Sequence, residues 1–360
     1  MEQIYSLFVF LFWFGLFIVF YTYIGYGILL YLLVRIKETI KKEDIRALPV
    51  PLPDVTLFIA AYNEEDIIPK KDGKLPESLL SSRQTTYRMG DRRIKRPHKT
   101  KRLAAYEDAT VLFNPERKGK TAALNRGMQY VSTPYVVFTD ANTMHEYRCH
   151  KSRSIHSFSK FPARSGMCGG EKRESILKSA QGATAGEGIY WRYESALKDL
   201  DDRLYSAVGA AGELFAIQTC LFEQMPADTL LDDFILSLRI AAKGYKIAYC
   251  KKAYATETAS LNMKEEEKRK IRIAAGGLQS VWRLKGLFNI FRYGTLSFQY
   301  VSHRVLRWTL TPLMLFLLLP ANFVLALSGS PFYIGIFVLQ LLFYTAAYAG
   351  YKMEQRNLRN

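Results

Sequence analysis

The sequence lacks any cysteine pattern that would build a disulfide framework or a zinc site. Its four cysteines stand at positions 149, 168, 220 and 250 and include no CxxC pair, the spacing typical of structural zinc sites. We therefore expect reduced thiols in contact with a cytosolic compartment. Internal repeats and low-complexity tracts are also absent, which excludes a repeat architecture.

Charge is absent from two long stretches near the ends of the chain. Residues 3–34 form an uncharged run of 32 residues, longer than the roughly 20 apolar residues that span a bilayer. A cleaved signal peptide is the competing interpretation, but the basic start, short apolar core and small-residue cleavage site are missing. The second run, 308–351, is interrupted by a turn at SGSP. We expect transmembrane helices at 1–35, 308–327 and 331–351.

Basic residues flank each predicted span. They are Arg35, Lys37, Lys41 and Lys42 after the first span, Arg304 and Arg307 before the second, and Lys352, Arg356 and Arg359 after the third. By the positive-inside rule these flanks are cytoplasmic. Three spans satisfy every flank, which places the region between the first two spans, and the tail 352–360, in the cytoplasm.

The middle of the chain is typical of an α/β domain. A proline-containing linker at 36–53 precedes a region, 54–260, in which apolar runs such as VTLFIA and YVVFT alternate with helical patterns. The following stretch, 261–307, mixes Lys and Arg with Leu, Phe, Tyr and Trp, and this pattern predicts amphipathic helices at a membrane surface. A solvated helical connector is the alternative.

Polar side chains follow two of the predicted strands. Ligands of open α/β sheets bind beyond the carboxyl ends of strands, and VTLFIA runs into Ala61, Tyr62, Asn63 and Glu64. YVVFT runs into Asp140 and Asn142, whose oxygens suit Mg²⁺ or Mn²⁺ on a diphosphate. An Asx-turn accounts equally well for the second pair, and a strand followed by a polar loop accounts for the first.

Two predicted helices begin with charged residues. Lys120 and Asn125 in KGKTAALNRG offer donors to a phosphate or a sugar, although a solvated helix start has the same composition. Asp232 and Asp233 open the helix of LLDDFILSLRIAAK, where acidic residues favour the helix dipole. A carboxylate at this point could also act as a general base for a sugar hydroxyl.

Together these motifs resemble those of the family 2 glycosyltransferases with the GT-A fold, and more narrowly the bacterial membrane-bound relatives of polysaccharide synthases. AYNEE, KGKTAALNRG, DAN, GAAGELFAI and DDF occur in the family's order, and the resemblance spans nearly the whole chain. It implies a cytoplasmic GT-A-like, Rossmann-like α/β domain between transmembrane helices that anchor it to the bacterial inner membrane. It also implies inverting transfer from a UDP-sugar to a lipid-linked or polysaccharide (glycan) acceptor in cell-envelope synthesis, with Mg²⁺ or Mn²⁺ as cofactor and no nucleic acid partner.

The resemblance also implies a role for each site residue. The nucleotide-sugar side would comprise Ala61, Tyr62, Asn63, Glu64, Lys120, Asn125 and Asp140. The metal would be held by Asp140 and Asn142, and the acceptor side would comprise Gly209, Gly212, Glu213 and Arg272. Asp233, with Asp232 beside it, would be the catalytic base.

Two departures from the family pattern bear on the reaction. Asn142 replaces the second aspartate of the DxD motif, which lowers the expected metal affinity. The QxxRW motif of processive synthases is not found at Arg269–Ile273, and RVLRW at 304–308 comes late in the chain. These departures favour transfer of a single sugar over a processive synthase. A non-catalytic pseudoenzyme or basic lipid-binding protein is the alternative from another class.

Two stretches do not fit the family. Residues 69–103 carry 12 Lys and Arg against 3 Asp and Glu, and residues 145–168 carry 5 against 1. The first stretch has no apolar strand and no DGSxD motif, which the family uses for uridine. A lipid-binding or nucleic-acid-binding insertion and a disordered loop are two explanations. The third is translation out of frame, since with permissible codons RMGDRRIKRP shifts to VWVTDGSND and SGMCGGE to VGCVAG.

Overall fold

The structure is a computed structural model, and it describes residues 2–40, 54–60, 87–90, 109–112, 119–140, 165–175, 183–258 and 263–357. The chain forms two compact units. The sheet unit comprises Leu30–Ala259 and Gln279–Phe298. The helical unit comprises Met1–Leu29, Ser260–Leu278 and Gln299–Asn360.

A mixed seven-stranded sheet is the centre of the sheet unit. Its strands are β1 Val55–Ala60, β2 Tyr87–Gly90, β3 Ala109–Leu112, β4 Tyr135–Asp140, β5 Ser165–Ser175, β6 Leu214–Gln218 and β7 Lys246–Thr258, in the spatial order β3-β2-β1-β4-β6-β5-β7. β6 runs antiparallel to both of its neighbours, whereas the other pairs are parallel. The predicted α/β architecture is therefore confirmed.

Three aromatic rings form the core beneath the centre of the sheet. Phe58, Phe138 and Phe215 lie on the neighbouring strands β1, β4 and β6 and are almost completely buried. The ring centroids are 5.3 Å apart for Phe58 and Phe138 and 4.8 Å apart for Phe138 and Phe215. Burying each such ring contributes roughly 1.5–3 kcal/mol, so this cluster fixes the register of the three strands on which the candidate site is built.

Among the described residues between 119 and 293, five helices accompany the strands. They are α3 Gly119–Met128, α4 Ala183–Leu204, α5 Asp232–Ala242, α6 Met263–Arg283 and α7 Ile290–Tyr293, with 3₁₀ turns at Thr219–Leu221 and Lys285–Phe288. α3 buries Leu124 and Met128 on one face, four residues apart, as expected of a helix packed on a sheet. Gly127 permits this packing, since a Cβ there would lie 2.3 Å from the Phe58 ring.

Strand β2 lies in a stretch without a strand pattern in the sequence. Residues 69–103 contain no apolar strand, yet Tyr87–Gly90 pairs in parallel with β1 on one side and β3 on the other. A strand between two neighbours satisfies its backbone donors and acceptors on both sides, so an apolar sequence is not required for the pairing. The second stretch, 145–168, likewise leads into β5, which begins at Ser165. The shifted readings expect strands at both places, and the residues as written form them too.

Long apolar helices form the candidate membrane spans. α1 Glu2–Phe20, a π turn at Tyr21–Gly25 and α2 Tyr26–Ile40 form one apolar helix of 39 residues. It continues past the predicted end at residue 35 because IKETI contains no helix breaker. Helix α11, Pro331–Asn357, contains a second candidate span at Pro331–Gly350.

The remaining predicted span is part of a bent pair. α8 Thr295–Tyr300, a π turn at Val301–Val305 and α9 Leu306–Trp308 lead into α10 Leu310–Ala326 with a bend of 46°. Within the described residues, two helices are long and apolar enough to cross a membrane, or three if the bent pair is one span.

Helices α1 and α10 pack closely in the helical unit. Phe12 of α1 forms a buried cluster with Leu318 and Leu325 of α10, and Gly15 allows the close approach, since a Cβ there would lie 3.2 Å from Leu318. A buried hydrogen bond of 3.0 Å joins the hydroxyls of Thr311 and Thr22. Small residues and hydroxyl pairs of this kind are typical of helix packing in membranes.

Candidate active site

A small pocket lies where strands β1 and β4 end. These strands are parallel, and Ala60 pairs with Asp140, so both chains leave the sheet at the same edge. The floor of the pocket is apolar and its rim is charged. Its lining consists of Phe58, Leu124, Phe138, Thr139 and Phe215 together with Lys120, Asp140, Gly212 and Asp232. The carboxyl edge of a parallel sheet is the usual ligand site of such folds.

Lys120 joins two carboxylates at the rim. Its Nζ donates to Asp140 Oδ1 at 2.8 Å and lies 3.9 Å from Asp232 Oδ2. Burial by itself lowers the pKa of Lys120, but the charges of Asp232, Asp140 and Asp233 outweigh it and raise the pKa well above its usual range. Lys120 is therefore a permanent cation in this pocket.

Asp140 differs from an ordinary surface carboxylate. Loss of hydration raises the pKa of Asp140 above its usual value, and although Lys120 opposes this shift, Glu213 and Asp232 add to it. A third of the side chain remains exposed, at 33%. Asp140 is thus a carboxylate with unfavourable negative neighbours, and an additional cation at this point would stabilise its charged form.

Asp232 and Asp233 occupy the first turn of α5 and have different surroundings. Asp232 is 7% exposed, and its Oδ2 has no hydrogen-bond partner among the described residues. Asp233 is half-buried beside Gly212, where a Cβ would lie 3.0 Å from Asp233 Oδ2. Desolvation, followed by the charge of Asp232, raises the pKa of Asp233 to about 7, against the opposing effect of Lys120. Such a carboxylate can accept a proton near neutral pH.

The GAAG loop at 209–212 packs against the same turn of α5. Gly209 has φ +86°, and a Cβ there would lie 2.5 Å from the ring of Phe234. Glycine meets both requirements at once, the left-handed backbone and the close approach. Glu213 follows this loop, and its charge contributes to the raised pKa values of Asp140 and Asp233. The structure therefore brings Gly209, Gly212 and Glu213 to the aspartate pair.

Asn125 and Arg272 lie in other surroundings. The Asn125 amide donates to Met225 O at 2.6 Å and accepts from Met225 N at 3.1 Å, so both ends of the amide are engaged by one backbone residue. Arg272 is exposed on α6, in the part of that helix that belongs to the helical unit. The donor-binding role of Asn125 and the acceptor-side role of Arg272 stay predictions.

Five predicted site residues lie outside the described part of the chain. They are Ala61, Tyr62, Asn63 and Glu64, which follow β1, and Asn142, which follows β4. Their roles stay predictions.

The donor set fits a divalent cation shared with a phosphate ligand. In the described ranges no group of three His, Cys, Asp or Glu side chains could hold a metal. However, Asp140 and Asp232 both face Lys120 Nζ, and the buried Oδ2 of Asp232 has no hydrogen-bond partner there. Mg²⁺ and similar ions commonly take one or two carboxylates and complete their shell with substrate phosphates and water. Hard oxygen donors of this kind suit Mg²⁺ or Mn²⁺.

Two residues near the site escaped the sequence analysis. Gln279 and Arg283, at the end of α6, form hydrogen bonds with residues 228–230, immediately before the aspartate pair. The signal that could have found them is QSVWR at 279–283, which contains the Gln, Trp and Arg of QxxRW with the last two exchanged.

Comparison with known proteins agrees with this fold. The family model described as glycosyl transferase family 2 matches residues 95–151. Among solved structures, the mannosyltransferase PcManGT from Pyrobaculum calidifontis, in complex with GDP-Man and Mn²⁺, is 20% identical with a TM-score of 0.66. The match covers 96% of this chain and 94% of that chain. No curated protein matches.

Two other solved structures are more distant. Mannosyl-3-phosphoglycerate synthase from Rubrobacter xylanophilus is 12% identical, with 71% of this chain and 78% of that chain covered and a TM-score of 0.44. Glucosyl-3-phosphoglycerate synthase from Mycobacterium tuberculosis, with Mn²⁺ and UDP-glucose, is 15% identical, with 63% and 79% covered and a TM-score of 0.44. The family model matched at residues 95–151 and the fold shared with PcManGT both agree with the motifs in the sequence.

Proposed function

We propose that this protein is a membrane-bound, inverting glycosyltransferase that transfers one sugar from a UDP-sugar to a lipid-linked or polysaccharide acceptor. The observation that carries the proposal is the meeting of Lys120, Asp140 and Asp232 around one pocket at the carboxyl edge of the sheet, with Asp233 beside Gly212 of the lining. Cationic and anionic groups are thereby available on the same side of the fold for a diphosphate and for a proton.

Asp233 acts as the general base in this proposal. It lies beside Gly212, which lines the pocket, and its pKa of about 7 allows it to take a hydroxyl proton near neutral pH. The freed oxygen attacks the anomeric carbon while the bond to the nucleoside diphosphate breaks. A single displacement of this kind inverts the anomeric centre.

Lys120 and Asp140 serve the donor side. Lys120 remains protonated, because the charges of three carboxylates raise its pKa, and it can therefore neutralise phosphate charge. Asp140 and Asp232 offer the oxygens for Mg²⁺ or Mn²⁺, and Asn142 is the further predicted ligand. A bound metal ion would supply positive charge that stabilises the departing diphosphate.

The nucleotide of the donor has two candidates. The motifs AYNEE and DAN resemble those of enzymes that use UDP-sugars. PcManGT was solved with GDP-Man, and it shares the fold over nearly the whole length of this chain. A donor panel should therefore contain UDP-glucose, UDP-galactose, UDP-N-acetylglucosamine and GDP-mannose.

Several features support attachment to a bacterial inner membrane with a cytoplasmic catalytic domain. The candidate spans carry exposed apolar side chains, such as Phe316 and Phe343, and their flanks are basic. The last turn of α6 and the segment after it expose Trp282, Phe288 and Phe291. Lys285 Nζ lies 4.9 Å from the centroid of the Trp282 ring. Aromatic and basic side chains together suit a membrane surface.

The test is release of nucleoside diphosphate by the purified full chain in detergent, with the donor panel, Mn²⁺ or Mg²⁺, and an extract of lipid-linked acceptors. We expect turnover with one donor and loss of turnover in Asp233→Asn with donor binding retained. Glu223→Gln is the matched control, since this carboxylate pairs with Lys243 and lies outside the pocket. Equal turnover in wild type and Asp233→Asn would exclude the proposed base.

Other outcomes identify the alternatives. Products that lengthen by many sugars from one acceptor indicate a processive synthase. Absence of turnover with every donor, together with binding to anionic vesicles, indicates a non-catalytic lipid-binding protein.

A further inference from the structure

The segment at 225–231, here called the aspartate loop, leads directly into the Asp232–Asp233 pair. The residue that precedes α5 is Leu231, which provides no side-chain hydrogen bond to cap the helix. Helices usually begin with a residue such as Ser, Thr, Asp or Asn that fixes the first turn. The first turn of α5, which carries both aspartates, therefore depends on other contacts for its position.

Helix α6 holds the aspartate loop from one side. The Gln279 side chain accepts a hydrogen bond from Leu230 N at 3.0 Å and donates to Asp228 O at 3.0 Å. It thereby engages the backbone at both ends of the tripeptide 228–230, as a β-strand neighbour would.

Arg283, one turn further along α6, adds two charged hydrogen bonds. Nη1 donates to Thr229 Oγ1 at 2.8 Å, and Nη2 donates to Asp228 Oδ2 at 2.7 Å. The hydrogen bond from Arg283 lowers the pKa of Asp228, which keeps this pair charged at neutral pH. The Arg283 side chain is 21% exposed whereas that of Asp228 is 70% exposed.

Helix α3 holds the loop from the other side. Thr121 Oγ1 donates to Thr229 O at 3.1 Å, and the Asn125 amide makes its two hydrogen bonds with Met225. Thr121 is the neighbour of Lys120, so one helix both contributes a cation to the pocket and contacts the loop that presents the aspartates.

We propose that Gln279 and Arg283 are positioning residues that fix the aspartate loop, and through it Asp233, in the geometry needed for proton transfer. This inference rests on the proposed function of Asp233 as base. Neither residue lines the pocket, so their effect reaches the reaction through the backbone at 228–230. A displacement of about 1 Å at a catalytic group can cost roughly 100-fold in rate, and four hydrogen bonds from one helix restrain displacements of that size.

The consequence is a defined pattern of kinetic defects. In Arg283→Ala and Gln279→Ala, kcat falls by about 10- to 100-fold while the Kd of the donor changes by less than about 3-fold, because Lys120 and Asp140 are untouched. Arg283→Lys retains the charge but cannot donate to both oxygens in the same fork, and it recovers only part of the loss.

Hydrogen–deuterium exchange of the full chain in detergent gives a readout that needs no turnover. We expect faster exchange in peptides covering 228–235 in both alanine variants, with unchanged exchange in β4 and β6. Arg203→Ala is the matched control. Arg203 forms an ion pair of 2.6 Å with Glu38 elsewhere in the sheet unit, and its loss should leave the exchange at 228–235 and kcat unchanged.

The outcomes separate the two proposals. Unchanged exchange and unchanged kcat in both variants overturn the positioning role. If the wild type has no turnover but exchange at 228–235 is faster in both variants, the result supports the positioning role of Gln279 and Arg283 and overturns the proposed function. Should Arg283→Ala unfold, Asp228→Asn removes only the exposed partner of the ion pair, and full activity with unchanged exchange in both Asp228→Asn and Gln279→Ala then overturns the inference.

Discussion

Replacing Asp233 with asparagine tests two things, its role as the base and the loss of folding stability caused by its partly buried negative charge. The change removes the proton acceptor but keeps the size of the side chain. General base catalysis contributes roughly 100- to 10,000-fold to a rate, so we expect kcat to fall within that range. The wild-type kcat/KM should rise with pH and level off above about 7, the pKa of Asp233, whereas the residual activity of Asp233→Asn should lack this rise.

The same variant should be more stable than the wild type. The pKa of Asp233 rises from 3.8 to about 7, and each unit corresponds to about 1.4 kcal/mol, which sets an upper limit of about 4 kcal/mol. Because Asp233 is partly exposed and coupled to Asp232, we expect about 1–2 kcal/mol after screening. The folded protein holds this proton more tightly than the unfolded chain does. The cost therefore begins above the unfolded pKa, grows with pH, and is complete above about pH 7.

Two measurements check this reasoning. Nucleoside diphosphate release between about pH 5.5 and about pH 8.5 reports the base, and thermal unfolding in detergent at about pH 5 and about pH 8 reports the cost of the charge. The stability gain of Asp233→Asn should be larger at the higher pH, and Glu223→Gln should change neither quantity. Retained turnover, or a variant less stable than wild type at about pH 8, would refute the argument.

Four further predictions concern other parts of the chain. Lys120→Met removes the cation that three carboxylates surround, so donor Kd should rise at least about 10-fold while Mn²⁺ binding measured by electron paramagnetic resonance strengthens; unchanged donor affinity contradicts this. Gly209→Ala should lower stability by about 1–3 kcal/mol more than Gly244→Ala, because both glycines have positive φ but only Gly209 meets the Phe234 ring; equal losses on thermal unfolding would exclude the clash. Trp282 is 73% exposed, and brominated phospholipids should quench the tryptophan fluorescence of the wild type more than that of Trp282→Ala. Equal quenching would place Trp282 away from the bilayer. Codons in the gene that are incompatible with the shifted readings of 69–103 and 145–168 would exclude translation out of frame.

Much of the fold could be predicted from local patterns. The runs VTLFIA and YVVFT are apolar and end in polar residues, and they became β1 and β4 with Ala60 and Asp140 paired at the same edge. The long uncharged runs form apolar helices, as predicted. Such a helix can be recognised from the length and composition of one run, because it does not depend on contacts with distant segments. Strand β2 escaped detection, since YRMG has no strand pattern of its own and pairs only because β1 and β3 flank it.

The candidate site could be predicted in its residue types but not in its pairings. The resemblance to the family implied roles for Lys120, Asp140 and Asp233. It could not indicate that Lys120 Nζ lies between Asp140 and Asp232, because these residues are far apart in the chain and meet only through the sheet register.

The sequence by itself indicated the resemblance to family 2 glycosyltransferases, the α/β class and the apolar helices, because these depend on composition and on the order of short motifs in the chain. Only the tertiary structure decided which of two adjacent aspartates faces the cation and which faces Gly212. It also assigned the amide of Asn125 to Met225 and brought Gln279 and Arg283 to the aspartate loop. These contacts join segments that are distant in the chain. Their geometry depends on how the helices pack, and the sequence of a helix does not show which distant segment it contacts.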